Sequence, residues 1–302
     1  MASTSTSKKK STKASTTAAV APKAPKKPKL MATDADKYAL YRLSVQDPEH
    51  EVSMFRHFYR DAFGRWPTTL REDFCAAFAV CVEWVTRHKD NVAVGVDLDP
   101  EPLDYGRTHY LPTLTEEQQG RVHLELENVL KTKTKAEVIA AQNYSFFIFK
   151  KRAEVLAYFK AVRKSLDDEG IFVFDMMGGS AFYQDDLEEG RKVARRTPDA
   201  RRDNPPFRYV WHQERFEPIS ADALFHIHFR FPDGSSLEKA FTYDWRLWTL
   251  PELLEILEEA GFSERHVYWE TDDKDGEPTG TYSRSTVGKA DPAWLCYVVA
   301  VK

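Results

Sequence analysis

The residues best placed for chemistry sit where apolar runs end in acids. Val92 to Asp97 is one such run, closing as Gly95-Val96-Asp97-Leu98-Asp99-Pro100. A carboxylate at a strand end can accept both hydroxyls of a ribose in a bidentate hydrogen bond. It can also cap the following helix, although Asp99, directly before Pro100, suits that cap better. Ile171-Phe172-Val173-Phe174-Asp175 repeats the pattern ahead of Met176-Met177-Gly178-Gly179. At the carboxyl edge of a sheet, Asp175 can orient an amine or take its proton, or it can cap a turn. His226 and His228 share one face of a strand, the spacing of a metal pair. No carboxylate or third histidine is suitably spaced, so no metal site is expected and the pair reads as an outward polar face. The cysteines, Cys75, Cys81 and Cys296, are odd in number and lack a Cys-x-x-Cys pair, which argues against a disulfide framework or a cysteine-built zinc site. Cys75 reads as a packed thiol.

The elements that must position these groups alternate. Helical spacing marks Asp36 to Leu43 and Glu51 to Phe63, the latter through Phe55, Phe58, Tyr59 and Phe63. A strand over Thr68 to Phe74 and a helix over Phe78 to His88 follow. Next come the strand Val92 to Asp97, a helix over Glu101 to Tyr110, and strands over Val122 to Leu126 and Ala136 to Ala141. A helix over Arg152 to Leu166 leads to the strand ending at Asp175. Repeated strand-then-helix order predicts a parallel sheet covered on both faces. Residues 178 to 245 break the rhythm with alternating strands and the turn Pro232-Asp233-Gly234-Ser235, so an antiparallel β insertion is expected there. Its aromatic residues read as the insertion's own core. Thr249-Leu250-Pro251-Glu252 is a capping box, and Gly261 suits the left-handed stop of the same helix. Two strands, about Glu264 to Glu270 and Trp294 to Val301, close the chain around a polar loop. One domain, 34 to 302, is expected, with residues 34 to 66 as a helical lid and 178 to 245 as the insertion.

In this order of elements the chain resembles the class I, Rossmann-like S-adenosylmethionine-dependent methyltransferases, from residue 36 to 302. The run Arg246-Leu247-Trp248-Thr249-Leu250-Pro251-Glu252, leading into Glu259-Ala260-Gly261-Phe262, carries it most specifically. The resemblance implies an α/β fold: a seven-stranded sheet whose last strand is antiparallel. It implies S-adenosylmethionine as cofactor. Thr69-Leu70-Arg71-Glu72-Asp73-Phe74-Cys75-Ala76-Ala77 lies where the family has its first strand and cofactor loop, which places Glu72, Asp73, Cys75 and Ala76 at the cofactor. The family's loop glycines fall on Phe74, Ala76 and Phe78. A subgroup with Arg-Glu-Asp-Phe-Cys continues as Gly-Thr, where this chain has Ala76-Ala77. Asp97 and Leu98 then fall at the ribose, and Asn128 and Val129 at the adenine, with an Asx turn as the alternative for Asn128. Asn143 falls by the methionine end, touching cofactor or acceptor, or capping its own loop. Asp175 and Asn143 are the catalytic candidates; Tyr38, Tyr41 and Arg246 are the acceptor candidates.

Composition narrows the partners. With 302 residues, 42% apolar and 30% charged, the chain has a globular composition, and no apolar run is long enough to span a membrane. Neither a secretory nor an import signal is legible, so a cytoplasmic protein is expected. Residues 1 to 33 read as a disordered tail rich in Lys, Ser, Thr and Ala. Eight of the 43 basic residues lie in its first 30 positions, and the 35 that remain face 47 acidic ones, an excess of 12 negative charges. Such a body repels phosphate backbones, so nucleic acid is expected only through the tail. The function expected is methyl transfer to a small-molecule amine or oxygen. The alternatives are a non-catalytic binding scaffold of the same fold and an RNA or protein methyltransferase recruited by the tail.

Overall fold

The computed structural model describes residues 31–193, 206–276 and 278–302; residues 1–30 of the expected tail lie outside them. Helices α1 (Lys37–Ser44) and α2 (Pro48–Phe63) precede the run β1 (Thr69–Asp73), α3 (Ala79–Thr86), β2 (Val92–Asp97), α4 (Pro100–His109), α5 (Glu116–Gln119), β3 (Val122–Leu126), β4 (Ala136–Ala141), α6 (Arg152–Ser165) and β5 (Leu166–Gly178). The insertion follows as β6 (Leu187–Val193), β7 (Phe207–Glu217), β8 (Asp222–Arg230) and β9 (Ser236–Arg246). Helix α7 (Leu250–Ala260) and strands β10 (Glu264–Asp272), β11 (Pro278–Ser285) and β12 (Trp294–Val301) complete the chain.

The main sheet runs β11-β10-β12-β5-β4-β1-β2-β3. β1 to β5 are mutually parallel, and β12 lies antiparallel between β5 and β10. Seven of these strands match the expected sheet. The eighth, β11, hairpins onto β10 inside the stretch expected to be a polar loop. Tyr282 is its one buried residue, so the segment has almost no apolar alternation to read. Chain order reverses at β1 and β4, and a parallel sheet leaves a crevice at the carboxyl ends of its strands at such a point.

Both faces of the sheet are buried at its centre. Phe172 and Phe174 pack with Phe146 and Phe159 on the α6–α7 side, while Ile171 and Val173 pack with Phe58 and Trp84 on the α2–α3 side. β4 is buried throughout; its residues are small or apolar except Glu137, whose carboxylate accepts from the Thr68 and Thr69 N–H groups and pairs with Arg65. The expected α7 signals are present in full: Thr249 and Glu252 cap reciprocally, and Gly261 takes φ 96°.

The insertion is a separate antiparallel sheet in the order β6-β7-β8-β9. Its Phe207, Ile227, Phe229 and Phe231 bury Leu40 of α1. Residues 31 to 33, grouped with the tail on composition, belong here instead: a 3-10 turn over Met31–Asp34 donates its Met31 and Ala32 N–H groups to Asp233 and Ser235, at 2.8 and 3.1 Å.

Under the crevice, Arg71 and Asp73 of β1 form a fully buried bidentate pair, at 2.8 and 3.0 Å. Tyr158 donates its hydroxyl to the same carboxylate at 3.0 Å, and Arg71 donates onward to the Thr134 carbonyl. Removing one member leaves a buried charge without its partner. Asp73→Ala is expected to lower unfolding free energy by about 3–5 kcal/mol in urea titrations, whereas Arg71→Met with Asp73→Leu recovers most of that loss.

Candidate active site

Between β1 and α3 the chain turns three times through the left-handed region, at Phe74 (φ 58°), Ala76 (φ 45°) and Phe78 (φ 50°). These are the three positions at which the resembling family has glycine, and the backbone keeps a glycine-like path despite its side chains. The Ala76 N–H donates to Asp97 Oδ2 at 2.8 Å, and Asp97 Oδ1 accepts from the Asp99 N–H at 2.9 Å. Asp99 caps α4 through the Glu101 N–H, so Asp97 is not needed for that cap. Burial pushes the Asp97 carboxyl above its ordinary range, against the pull of these N–H groups. The space that loop glycines would leave comes from neighbours. A Cβ on Gly95 would sit 2.8 Å from Cys75 Sγ, and one on Gly106 would meet the Ala77 carbonyl at 2.4 Å.

A cavity of about 550 Å³ opens at the same edge of the sheet, at the carboxyl ends of β4, the neighbour of β1, and of β5, and at the facing end of β12. Its floor carries Gln142, Asn143, Tyr144 and Asp175. Asn143 and Tyr144 are both left-handed, and their N–H groups donate to the two Asp175 oxygens at 2.8 and 2.9 Å. The turn-capping alternative for Asp175 is thus present in the geometry, and the same carboxylate lines the cavity. Burial raises its pKa to about 7, against those N–H groups. Tyr41, Ser44 and Glu51 form one wall. Tyr209, Trp211, Ile227, Tyr243 and Trp245 of the insertion form the other. The insertion aromatics are therefore a cavity wall as well as a core, which corrects the reading of them as core alone. The rings of Tyr243 and Trp245 are 4.5 Å apart, and Trp211 lies 6.0 and 6.2 Å from them.

The other expected site residues divide. Tyr41 and Asn143 reach the cavity, as does Asp175. Tyr38 lies outside it, donating to Glu101 at 2.9 Å and packing on Tyr105. Arg246 is turned away from it, stacked 3.9 Å from the Trp248 ring centroid and donating to the Lys150 carbonyl, so the structure does not bring it to an acceptor. Asp73 faces the core and is spent on Arg71. Glu72 is buried against the Cys81 thiol, which donates to it at 3.2 Å. Asn128 forms the Asx turn, accepting from the Leu130 N–H at 2.9 Å, and Val129 is buried beside it. Leu98 is 64% exposed at the end of β2, with Leu126 and Leu130 also uncovered nearby in sequence on the β3 side.

His226 and His228 do not form an outward face: both rings are buried. Strand register sets His212 of β7 opposite His226, and His212 Nδ1 lies 3.3 Å from His228 Nε2. Glu188 joins them, with ligand atoms within 4.8 Å of one another. Both Glu188 oxygens are taken by Arg230, at 2.8 and 2.9 Å, and the Lys239 N–H donates to His228 Nδ1. These partners occupy Glu188 and His228 Nδ1, while His212 Nε2 has no hydrogen-bond partner.

Sequence reading missed Glu51. It reads as an ordinary first-turn acid of an amphipathic helix, and only the packing of α2 on the main sheet, beside the cavity, turns it inward. It is 7% exposed, and burial raises its pKa to about 7, with Asp175 adding to the rise.

By sequence the chain matches no family model, and none of the curated proteins matches it. By structure it is similar to DesVI of Streptomyces venezuelae (TM-score 0.62, 16% identity, covering 87% of this chain and 96% of that one). It is similar also to CalS10, an amino pentose methyltransferase from Micromonospora echinaspora solved with S-adenosylmethionine bound (0.61, 15%, 87% and 95%). A third is the sugar N-methyltransferase KedS8 of a Streptoalloteichus species (0.58, 16%, 94% and 98%). The chain has the class I, Rossmann-like methyltransferase fold.

Two measurements test this geometry. Ala76→Gly removes a Cβ from a left-handed residue and is expected to raise unfolding free energy by about 1 kcal/mol in urea titrations. Glu51 and Glu72 hold protons more tightly folded than unfolded, with Glu72 pushed by burial from 4.5 to about 8. The folded state therefore binds more protons between these values, and stability is expected to fall as pH rises from 4.5 to about 8. Glu72→Gln is expected to flatten that slope in denaturation curves taken across this range.

Proposed function

We propose that this chain is an S-adenosylmethionine-dependent methyltransferase acting on a small-molecule nucleophile, an amine or an oxygen. The observation that carries the reading is the juxtaposition of the Ala76–Asp97 turn with an aromatic, acid-bearing cavity at the same edge of the sheet. The residues present fit the cofactor. Asp97 retains lone pairs for ribose hydroxyls. Leu98, Leu126 and Leu130 leave apolar surface uncovered at the ends of β2 and β3, where a purine would lie. The left-handed Ala76 presents only a methyl group to a ligand that must approach the backbone closely.

The cofactor supplies an activated methyl group, so the protein's work is alignment and exclusion of water. Asp97 and the loop N–H groups hold one partner. Asn143 and Asp175 define the cavity floor beside the transfer path, while the insertion and α1 roof the other partner against solvent. No nucleophilic side chain is required by such a transfer. The acidic body and the walled cavity support a small acceptor over a nucleic acid.

Calorimetry with S-adenosylmethionine and S-adenosylhomocysteine tests the reading. Both are expected to bind, and Asp97→Ala is expected to weaken them at least about tenfold through loss of charge-assisted hydrogen bonds. Absence of binding in the native protein, unrescued by Ala76→Gly, would leave the fold as a scaffold without this cofactor.

A further inference from the structure

Buried polar atoms without partners describe the ligand that would satisfy them. Among the described residues eight buried side-chain nitrogen and oxygen atoms lack a hydrogen-bond partner, and three of them belong to residues lining the one cavity above: Glu51 Oε2, Gln142 Nε2 and Trp211 Nε1. Glu51 and Gln142 are 7% and 5% exposed, so neither relies on bulk solvent. The set is one anionic acceptor and two donors. A ligand that displaces solvent has to present a cationic donor to the first and oxygen acceptors to the other two.

We infer that the acceptor is an amino alcohol or similarly hydroxylated amine, its nitrogen received by Glu51 and its oxygens by Gln142 and Trp211. The inference rests on the methyltransferase reading and deepens it. A neutral alcohol would leave the Glu51 carboxylate buried without a counter-charge, since the neighbouring groups are mostly acids or phenols. Asp175 faces Glu51 from β5, and Tyr41 and Tyr297 from α1 and β12. Two cations are nearby and both are engaged: Arg42 donates to the Gln46 carbonyl at 2.9 Å, and Arg191, which also lines the cavity, donates to the Ser44 carbonyl and stacks on Tyr209. The Trp211, Tyr243 and Trp245 rings add π-faces that favour a cation over a neutral group.

The same carboxylate supplies the proton bookkeeping. A primary ammonium gives one proton to Glu51, which frees the nitrogen lone pair. That pair forms the new N–C bond as the C–S bond of the donor breaks, its electrons remaining on sulfur. The product leaves as a methylated ammonium, the sulfur leaves as a neutral thioether, and Glu51 returns its proton to water.

Binding to the cofactor-free protein tests the inference with matched probes: serinol against glycerol, and aminocyclohexanol against cyclohexanediol. The amino member of each pair is expected to bind about tenfold more tightly or better. Glu51→Gln is expected to abolish that preference and Glu51→Asp to keep part of it. S-adenosylhomocysteine affinity, unchanged in both variants, shows that they are folded. Equal binding within each pair, no binding of either amine, or a preference that survives Glu51→Gln overturns the inference. Failure of the native protein to bind S-adenosylhomocysteine overturns the methyltransferase reading instead, and leaves the amine preference to be read by itself.

Discussion

Two carboxylates at strand ends hold the working edge of this protein together. Asp97 takes the Ala76 N–H, and Asp175 takes those of Asn143 and Tyr144, all three residues in the left-handed region. An L residue in that region costs about 1–2 kcal/mol, while a backbone N–H bonded to a charged group returns about 1.5–3 kcal/mol. The balance favours the turns only while the carboxylates are in place. Without them Phe74 to Phe78 and Gln142 to Tyr144 have no reason to leave extended or right-handed backbone, and both the loop and the cavity floor lose their shape. The geometry that glycine gives by being permissive is here imposed by charge and packing, with Gly95 and Gly106 moved into the neighbouring strand and helix.

This division explains what could be read in advance. Strand-to-helix order is written in local periodicity, so β2, β3 and β4 appear with their bounds intact, and α7 is announced by its own caps. Asp97 and Asp175 were visible because each ends an apolar run. Glu51 was not: it becomes a cavity residue through the docking of α2 on β5, a strand far later in the chain. The histidines failed for a related reason. Their spacing along β8 is plain, but the partner His212 is placed by cross-strand register and by a bulge between Gln213 and Arg215, neither of which periodicity records. Asp73 misled in the opposite direction, since an acid at the end of a first strand resembles a ligand contact until Arg71, two residues earlier on the same face, is seen to claim it.

The insertion gives the site its particular chemistry. A bare doubly wound sheet offers a shallow crevice, open to water, in which a buried acid would have little value. Here α1 bridges to the second sheet through Leu40, and that bridge brings Trp211, Tyr243 and Trp245 over the strand ends. Covering the crevice lowers the local dielectric, which strengthens any charge interaction inside it and makes an unanswered one more costly.

Glu51 feels that cost first, because Asp175 lies close enough to raise its proton affinity beyond what burial alone does. Two carboxylates in such a space do not both stay charged without help, and the arginines at hand, Arg42 and Arg191, are engaged with the Gln46 and Ser44 carbonyls. A proton can neutralise one of them, and a bound cation can neutralise the other. Covering the crevice thus also creates a demand for positive charge, so that shape and charge select the same kind of occupant.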